Sequence, residues 1–158
     1  MVRNPECTIC DIISDPANGD VTLFDDTTES TGWRAVLMKD QGALGASYLT
    51  TREHRSDIDE LSDTEWQELR DLVRLMTAAM KREFHPVHMN LACDMNDAAA
   101  AGEPTHVHFK LRPRGFRQTS IGRETFSDPG FGTKEVVPHK VGRATLTLIR
   151  ELLESGNL

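Results

Sequence analysis

Thr105-His106-Val107-His108-Phe109-Lys110-Leu111 alternates polar and apolar residues with a period of two. On a β-strand this places His106, His108 and Lys110 on one face and Val107, Phe109 and Leu111 on the other. The apolar face can enter a core. The opposite face then presents two imidazoles and a cation side by side, and neutral imidazole is both a nucleophile and a metal ligand near pH 7. An isolated His-x-His is more often the wet face of a half-buried strand, so the rest of the chain has to decide between the two.

Before this strand the chain shows three further strand candidates, Val21 to Phe24, Trp33 to Met38 and Ser47 to Thr51. Ser62, with Glu65 three residues later, forms a capping box. It opens a helix over about 63–84, in which Trp66, Leu69, Val73, Met76, Met80 and Phe84 form one apolar stripe that reads as core. Val87 to Cys93 reads as a fourth strand. Asp94 to Pro104 reads as a loop, and Phe116 to Pro138, punctuated by Gly and Pro, as a long ordered one. Val141 to Leu153 is a final amphipathic helix. Asp11 to Ser14 reads as a short helical turn, Asp15 to Asp20 as turn chemistry and Asp25 to Gly32 as a polar connection. This order predicts an α+β fold: an antiparallel sheet of about five strands, one long helix packed on it and a C-terminal helix.

The 158 residues suit a single domain with a sizeable core. No apolar run is long enough to span a bilayer, and no apolar signal segment opens the chain, which favours a cytoplasmic protein. The net charge of −7 argues against a general nucleic-acid binder. Within this acidic chain, Lys110, Arg112, Arg114, Arg117 and Arg123 form a local basic segment that could hold a small anion. Three cysteines do not suggest a disulfide framework. Cys7-Thr8-Ile9-Cys10 has metal-ligand or redox spacing, and its place ahead of any strand favours metal. Cys93 reads as a small core residue. His85-Pro86-Val87-His88 has ligand spacing too, but Pro86 breaks the helix that would bring its rings together.

Cys7, Cys10, His54 and His106 provide two thiolates and two imidazoles, an inventory that suits tetrahedral structural zinc. Spacing alone does not establish the site, because the two histidines are far apart in sequence. With His106 held, His108 projects from the same strand face beside Lys110 and Arg112. That setting suits attack on phosphorus, with cations stabilising charge on the phosphoryl oxygens.

These features in this order resemble the histidine triad (HIT) superfamily of nucleotide hydrolases and transferases. The order is Cys-x-x-Cys, then Gly45 followed nine residues later by His54, a helix with an acidic start, a strand, and a His-x-His strand ending in Pro113-Arg114. The resemblance covers roughly residues 7–114. The remainder, 115–158, looks like the extension of one bacterial and archaeal branch, notably at Thr125-Phe126-Ser127-Asp128-Pro129. It implies structural zinc on Cys7, Cys10, His54 and His106, with His108 as the nucleophile that accepts a nucleoside monophosphate. Its ring would be oriented by the main-chain carbonyl of the first triad position. Asn96, Lys110 and Arg112 become substrate-contact candidates, Asp40 a candidate for the ribose hydroxyls, and a homodimer is expected.

Two departures stand out. The third triad position is Lys110 rather than His, and the loop before the triad reads Ala101-Gly102-Glu103-Pro104-Thr105 rather than the usual Gly- and Asn- or Gln-bearing phosphate loop. The leading expectation is therefore a nucleotide hydrolase or nucleotidyltransferase working through a His108 adduct. Its rivals are a nucleotide-binding protein of the same fold with weakened chemistry, and a zinc-stabilised interaction protein with no small ligand.

Overall fold

A computed structural model of the chain describes residues 3–14, 21–24 and 32–156. In chain order the elements are helix α1 (Thr8–Ser14), strands β1 (Thr22–Leu23), β2 (Trp33–Leu37) and β3 (Ser47–Thr51), helix α2 (Asp63–Phe84), strand β4 (His88–Ala92), helix α3 (Asn96–Ala101), strands β5 (His108–Arg114), β6 (Thr119–Ile121) and β7 (Glu124–Phe126), and helix α4 (Arg143–Glu154). The first five strands form one antiparallel sheet in the order β1-β2-β3-β5-β4, as the alternation predicts. The turn expected over Asp15 to Asp20 and most of the connection from Asp25 to Gly32 lie outside the described residues.

The capping box starts α2 as expected. Ser62 Oγ accepts the Glu65 N–H at 3.2 Å, and Glu65 Oε2 accepts the Ser62 N–H at 2.9 Å. His85 ends the helix in the left-handed region (φ 51°), and Pro86 prevents its continuation. His85 and His88 therefore part company, the first capping α2 and the second opening β4.

Val107, Phe109 and Leu111 face α2 and join Leu49, Leu69, Met76, Met80 and Phe84 in the core. Gly45 (φ +90°) lies against the ring of Phe84 and the end of Met80, where a side chain would meet both a crowded site and an unfavourable backbone. The α2 stripe is shifted from the sequence reading. Leu72 and Ala79 are buried and Val73 only partly so, while Trp66 is 41% exposed despite its edge-to-face contact with Phe109. The first turn still meets the sheet, where the Trp33 indole N–H donates to the Glu65 carbonyl at 2.8 Å.

Other corrections are local. The helical turn at Asp11 begins earlier, at Thr8. The alanine run in the expected 94–104 loop forms α3, since consecutive alanines are the best helix formers. The expected 116–138 loop contains the β6–β7 hairpin, which turns through Gly122 (φ +60°). Strand β5 continues through Pro113, because β3 stops pairing at Leu111 and leaves proline's missing N–H on an unpaired side. Residues after 115 enter the same core, through Phe116, Ile121, Phe126, Leu146, Ile149 and Leu153.

Arg114 does not belong to a basic surface. Its side chain is 3% exposed and pairs with Asp128, 2% exposed, through Nε to Oδ2 at 2.8 Å and Nη2 to Oδ1 at 3.1 Å. Nη2 also donates to the carbonyls of Gly130 and Glu135, each at 2.9 Å. Burial alone would raise the Asp128 carboxyl's pKa, but hydrogen bonds from Arg114 and the Gly115 N–H outweigh it and hold the pKa below the usual carboxylate value. A depressed folded-state pKa stabilises the fold above the unfolded carboxylate's pKa, and that gain is lost as pH falls through the folded value. Urea midpoints should therefore drop steeply below about pH 4, and Asp128→Asn, less stable at neutral pH, should show a shallower acid slope. Arg114→Ala should cost about 3 kcal/mol by stranding a buried carboxylate.

Candidate functional site

The Cys7 and Cys10 side chains meet at the start of α1, because a three-residue spacing on a helical turn puts both on one side. The Cys10 N–H points at Cys7 Sγ, 3.4 Å away. Arg34, reaching from β2, donates to the Ile13 carbonyl at 2.8 Å and ties α1 to the sheet. Against the two sulfurs come two imidazole Nδ1 atoms. Cys7 Sγ is 3.4 Å and Cys10 Sγ 3.5 Å from that of His106, and Cys10 Sγ is 3.4 Å from that of His54. All four ligand atoms lie within 4.8 Å of one another.

The donor set fits zinc. Tetrahedral zinc with ordinary Zn–S and Zn–N bonds separates sulfur from nitrogen by about 3.6 Å, close to the spacing here. His106 Nε2 lies 3.0 Å from the Thr51 carbonyl, which can only accept, so the proton sits on Nε2 and the Nδ1 lone pair faces the sulfurs. Burial of His106 (2% exposed) lowers its pKa and keeps the ring neutral, as a ligand must be. Burial also pushes the Cys7 thiol up, so an ionised pair of sulfurs here calls for a cation.

His108 follows on β5, facing away from α2. Its Nδ1 donates to the His106 carbonyl at 2.9 Å, since that oxygen can only accept. Nε2 is thereby left with its lone pair and no protein partner among the described residues. Tyr48 meets the ring edge-on, with centroids 5.8 Å apart.

No protein-family model and no curated protein matches the chain. Solved structures do. A HIT family protein from Bacillus anthracis str. 'Ames Ancestor' is 25% identical with a TM-score of 0.56, over 71% of this chain and 75% of that one. A hypothetical histidine triad nucleotide-binding protein from Sulfolobus tokodaii strain 7 is 21% identical with a TM-score of 0.61, over 94% and 93%. A zinc-bound histidine triad family protein from Mycobacterium smegmatis is 17% identical with a TM-score of 0.59, over 96% and 95%. The chain has the histidine triad fold.

On this histidine triad fold His108 stands between two openings. The larger is a mostly apolar cleft of about 490 Å³ between α1 and the sheet, walled by Ile9, Ile12, Val36 and Tyr48, with Asp40 and Lys140 also in its lining. The smaller, about 170 Å³, is lined by Lys110 together with Asp94, Asp97 and Glu103. Lys110 Nζ lies 3.6 Å from Asp94, so its charge is already shared. Burial raises the Tyr48 phenol's pKa and keeps it neutral in the cleft wall.

The sequence-derived candidates separate here. Cys7, Cys10, His54 and His106 converge, and Lys110 and Asp40 reach the openings beside His108. Arg112 lies further along β5 on the same face. Asn96 is exposed on α3 and lines neither opening. The basic segment does not form one patch, because Arg114 is buried and Arg117 and Arg123 are exposed in and beside the β6–β7 hairpin. Sequence reasoning missed Tyr48 and Thr50, which the period-two pattern of β3 puts on the His108 face and the sheet register sets opposite Lys110 and His108. It also missed Lys140, which no local signal connects to β5.

Proposed function

We propose that this chain is a nucleotide-binding member of the histidine triad superfamily that hydrolyses or transfers a nucleoside monophosphate through a covalent adduct on His108. The observation that carries this is the His108 ring, held at Nδ1 by the His106 carbonyl while its Nε2 stands at the junction of an apolar cleft and a small polar one. The apolar cleft suits a base, with Asp40 available to ribose hydroxyls, and the small pocket suits the leaving group.

In the first step the Nε2 lone pair attacks phosphorus. The N–P bond forms as the bond to the leaving group breaks, and the leaving group keeps the electron pair and gains a proton from solvent. In the second step water attacks the same phosphorus and releases its proton to solvent, the N–P pair returns to His108, and the nucleoside monophosphate departs. Lys110 offers charge to a phosphoryl oxygen. Cys7, Cys10, His54 and His106 would hold a structural zinc whose contribution is to fix the backbone that carries His106 and His108. Thiolate ligands of this kind fit a reducing compartment such as the cytoplasm.

The test is denaturing mass spectrometry without acid after incubation with nucleoside phosphoramidates and dinucleoside polyphosphates. A nucleotide-sized gain in mass on the wild type supports the adduct and names the nucleotide; release of product with no trapped mass under rapid quench counts against it.

A second reading is a nucleotide-binding protein with weakened chemistry. Lys110 at the third triad position, tied to Asp94 beside Asp97 and Glu103, favours it. Saturable nucleotide binding without turnover, unchanged in Lys110→His, would select that reading.

We also propose a homodimer. Strand β4 is an edge strand, and its helix side leaves Leu91 44% exposed while α2 leaves Trp66 41% exposed. Light scattering should report twice the chain mass for the wild type and the monomer mass for Leu91→Asp, whose buried charge would oppose pairing. A monomeric wild type at micromolar concentration would refute this.

A further inference from the structure

Three alternate residues of β5, Lys110, Arg112 and Arg114, are all basic, and only the middle one lacks a carboxylate. Lys110 has Asp94 and Arg114 has Asp128. Arg112 is half-buried and has no carboxylate partner among the described residues. A guanidinium carries five donors, and leaving them unmet in a partly desolvated place is unfavourable.

Arg112 lines a separate cavity of about 250 Å³ together with Lys134, a second cation without a carboxylate partner among the described residues. That cavity shares Met38 and Asp40 with the large cleft, so the two adjoin. Lys134 is brought there by construction. Arg114 donates to the carbonyls on either side of it, Thr133 at 3.3 Å and Glu135 at 2.9 Å. Further along, the His139 N–H donates to Asp40 Oδ1 at 2.9 Å and the Gln41 N–H to the His139 carbonyl at 2.9 Å. Gly42 allows this close approach, because a Cβ there would overlap the Val137 carbonyl. Asp40 Oδ1 also accepts the Gly42 N–H at 3.0 Å, so the one carboxylate in the cavity has an oxygen committed to backbone donors.

We infer that Arg112 and Lys134 form an anion subsite for a second phosphate group of the nucleotide, carried on its ribose at the 2′ or 3′ position. The inference rests on the nucleotide reading of the His108 cleft. The small opening beside His108 and the cavity that adjoins the large cleft are oppositely charged. The leaving-group side sets three carboxylates against Lys110, whereas the Asp40 side sets Arg112 and Lys134 against one carboxylate. A second phosphate is repelled from the first side and attracted to the other. His108 and Arg112 lie on one strand face about 13 Å apart along the backbone. The long Arg112 side chain can lean back along the strand toward His108, and a ribose phosphorylated at C5′ and again at C2′ or C3′ can bridge the rest of that span.

Isothermal titration calorimetry on the zinc-loaded full chain tests this. The ligands are the 5′-monophosphates, 2′,5′-bisphosphates and 3′,5′-bisphosphates of the four common ribonucleosides, with inorganic phosphate and pyrophosphate alongside. For the preferred base, one bisphosphate should bind at least about tenfold tighter than the monophosphate, the increment expected of charge-assisted hydrogen bonds. Arg112→Gln and Lys134→Gln should each shrink that preference below about threefold, and Arg112→Lys should restore part of it. Equal affinities in the wild type overturn the subsite while leaving nucleotide binding intact. A preference that survives in both glutamine variants overturns its assignment to these residues. Failure to bind any nucleotide, with phosphate or pyrophosphate still bound through Arg112, overturns the nucleotide reading and leaves a site for a free anion; no binding at all overturns both.

Discussion

His108→Ala should lower kcat/KM by at least about a thousandfold on any nucleotide the wild type cleaves, with no trapped adduct. The size follows from the route. If a nitrogen lone pair makes the first bond to phosphorus, no other imidazole lining the openings replaces it, because His106 is turned to Cys7 and Cys10, and Lys110 is tied to Asp94. The loss should not come from unfolding. The ring is half-buried, and its one hydrogen bond among the described residues is to the His106 carbonyl, worth about 1 kcal/mol. His108→Gly should recover part of the activity with added imidazole, a response that a purely structural role for His108 would not give. Activity within tenfold of wild type in His108→Ala would sink the adduct mechanism and leave a positioned water as nucleophile.

Stripping zinc should lower the melting temperature by roughly 10 °C. A ligand held a thousandfold above its dissociation constant adds about 4 kcal/mol, and a domain of this size moves about 2–4 °C per kcal/mol. The site joins segments far apart in the chain: α1 through Cys7 and Cys10, the end of β3 through His54, and the residues before β5 through His106. Without a cation the cluster holds buried thiols against two imidazoles, and α1 keeps its tie to Arg34 but loses its strongest link to β5. Cys10→Ala should show the same fall, bind less than one zinc per chain, and no longer respond to chelator. Wild-type protein free of zinc, with a melting temperature unmoved by chelator or added zinc, would remove metal from the account.

Much of the fold was legible because it depends on short-range rules. The period-two run around His106 and His108, the Ser62–Glu65 box and the breaker at Pro86 each act within a few residues, and each lies where those rules put it. The errors share a cause. Trp66 looked like core because a helical stripe says which side is apolar but not how completely the partner sheet covers each residue on it. The alanine run after Asp94 looked like a loop because six residues are too few for a periodic pattern. Arg114 looked like part of an anion-binding patch because its neutralising partner, Asp128, sits in a segment whose path the sequence does not reveal.

The amino-acid sequence by itself determined the α+β order of elements, the face that carries His106 and His108, and the Cys₂His₂ inventory, since these follow from local periodicity and residue chemistry. Only the tertiary structure decided which distant groups share a cavity. It brought Cys7 and Cys10 to His54 and His106, set carboxylates on one side of His108, and laid Lys134 beside Arg112. Such meetings depend on loop paths and sheet order, where small changes in backbone direction move a side chain by many ångströms, and no short-range pattern in the chain encodes them.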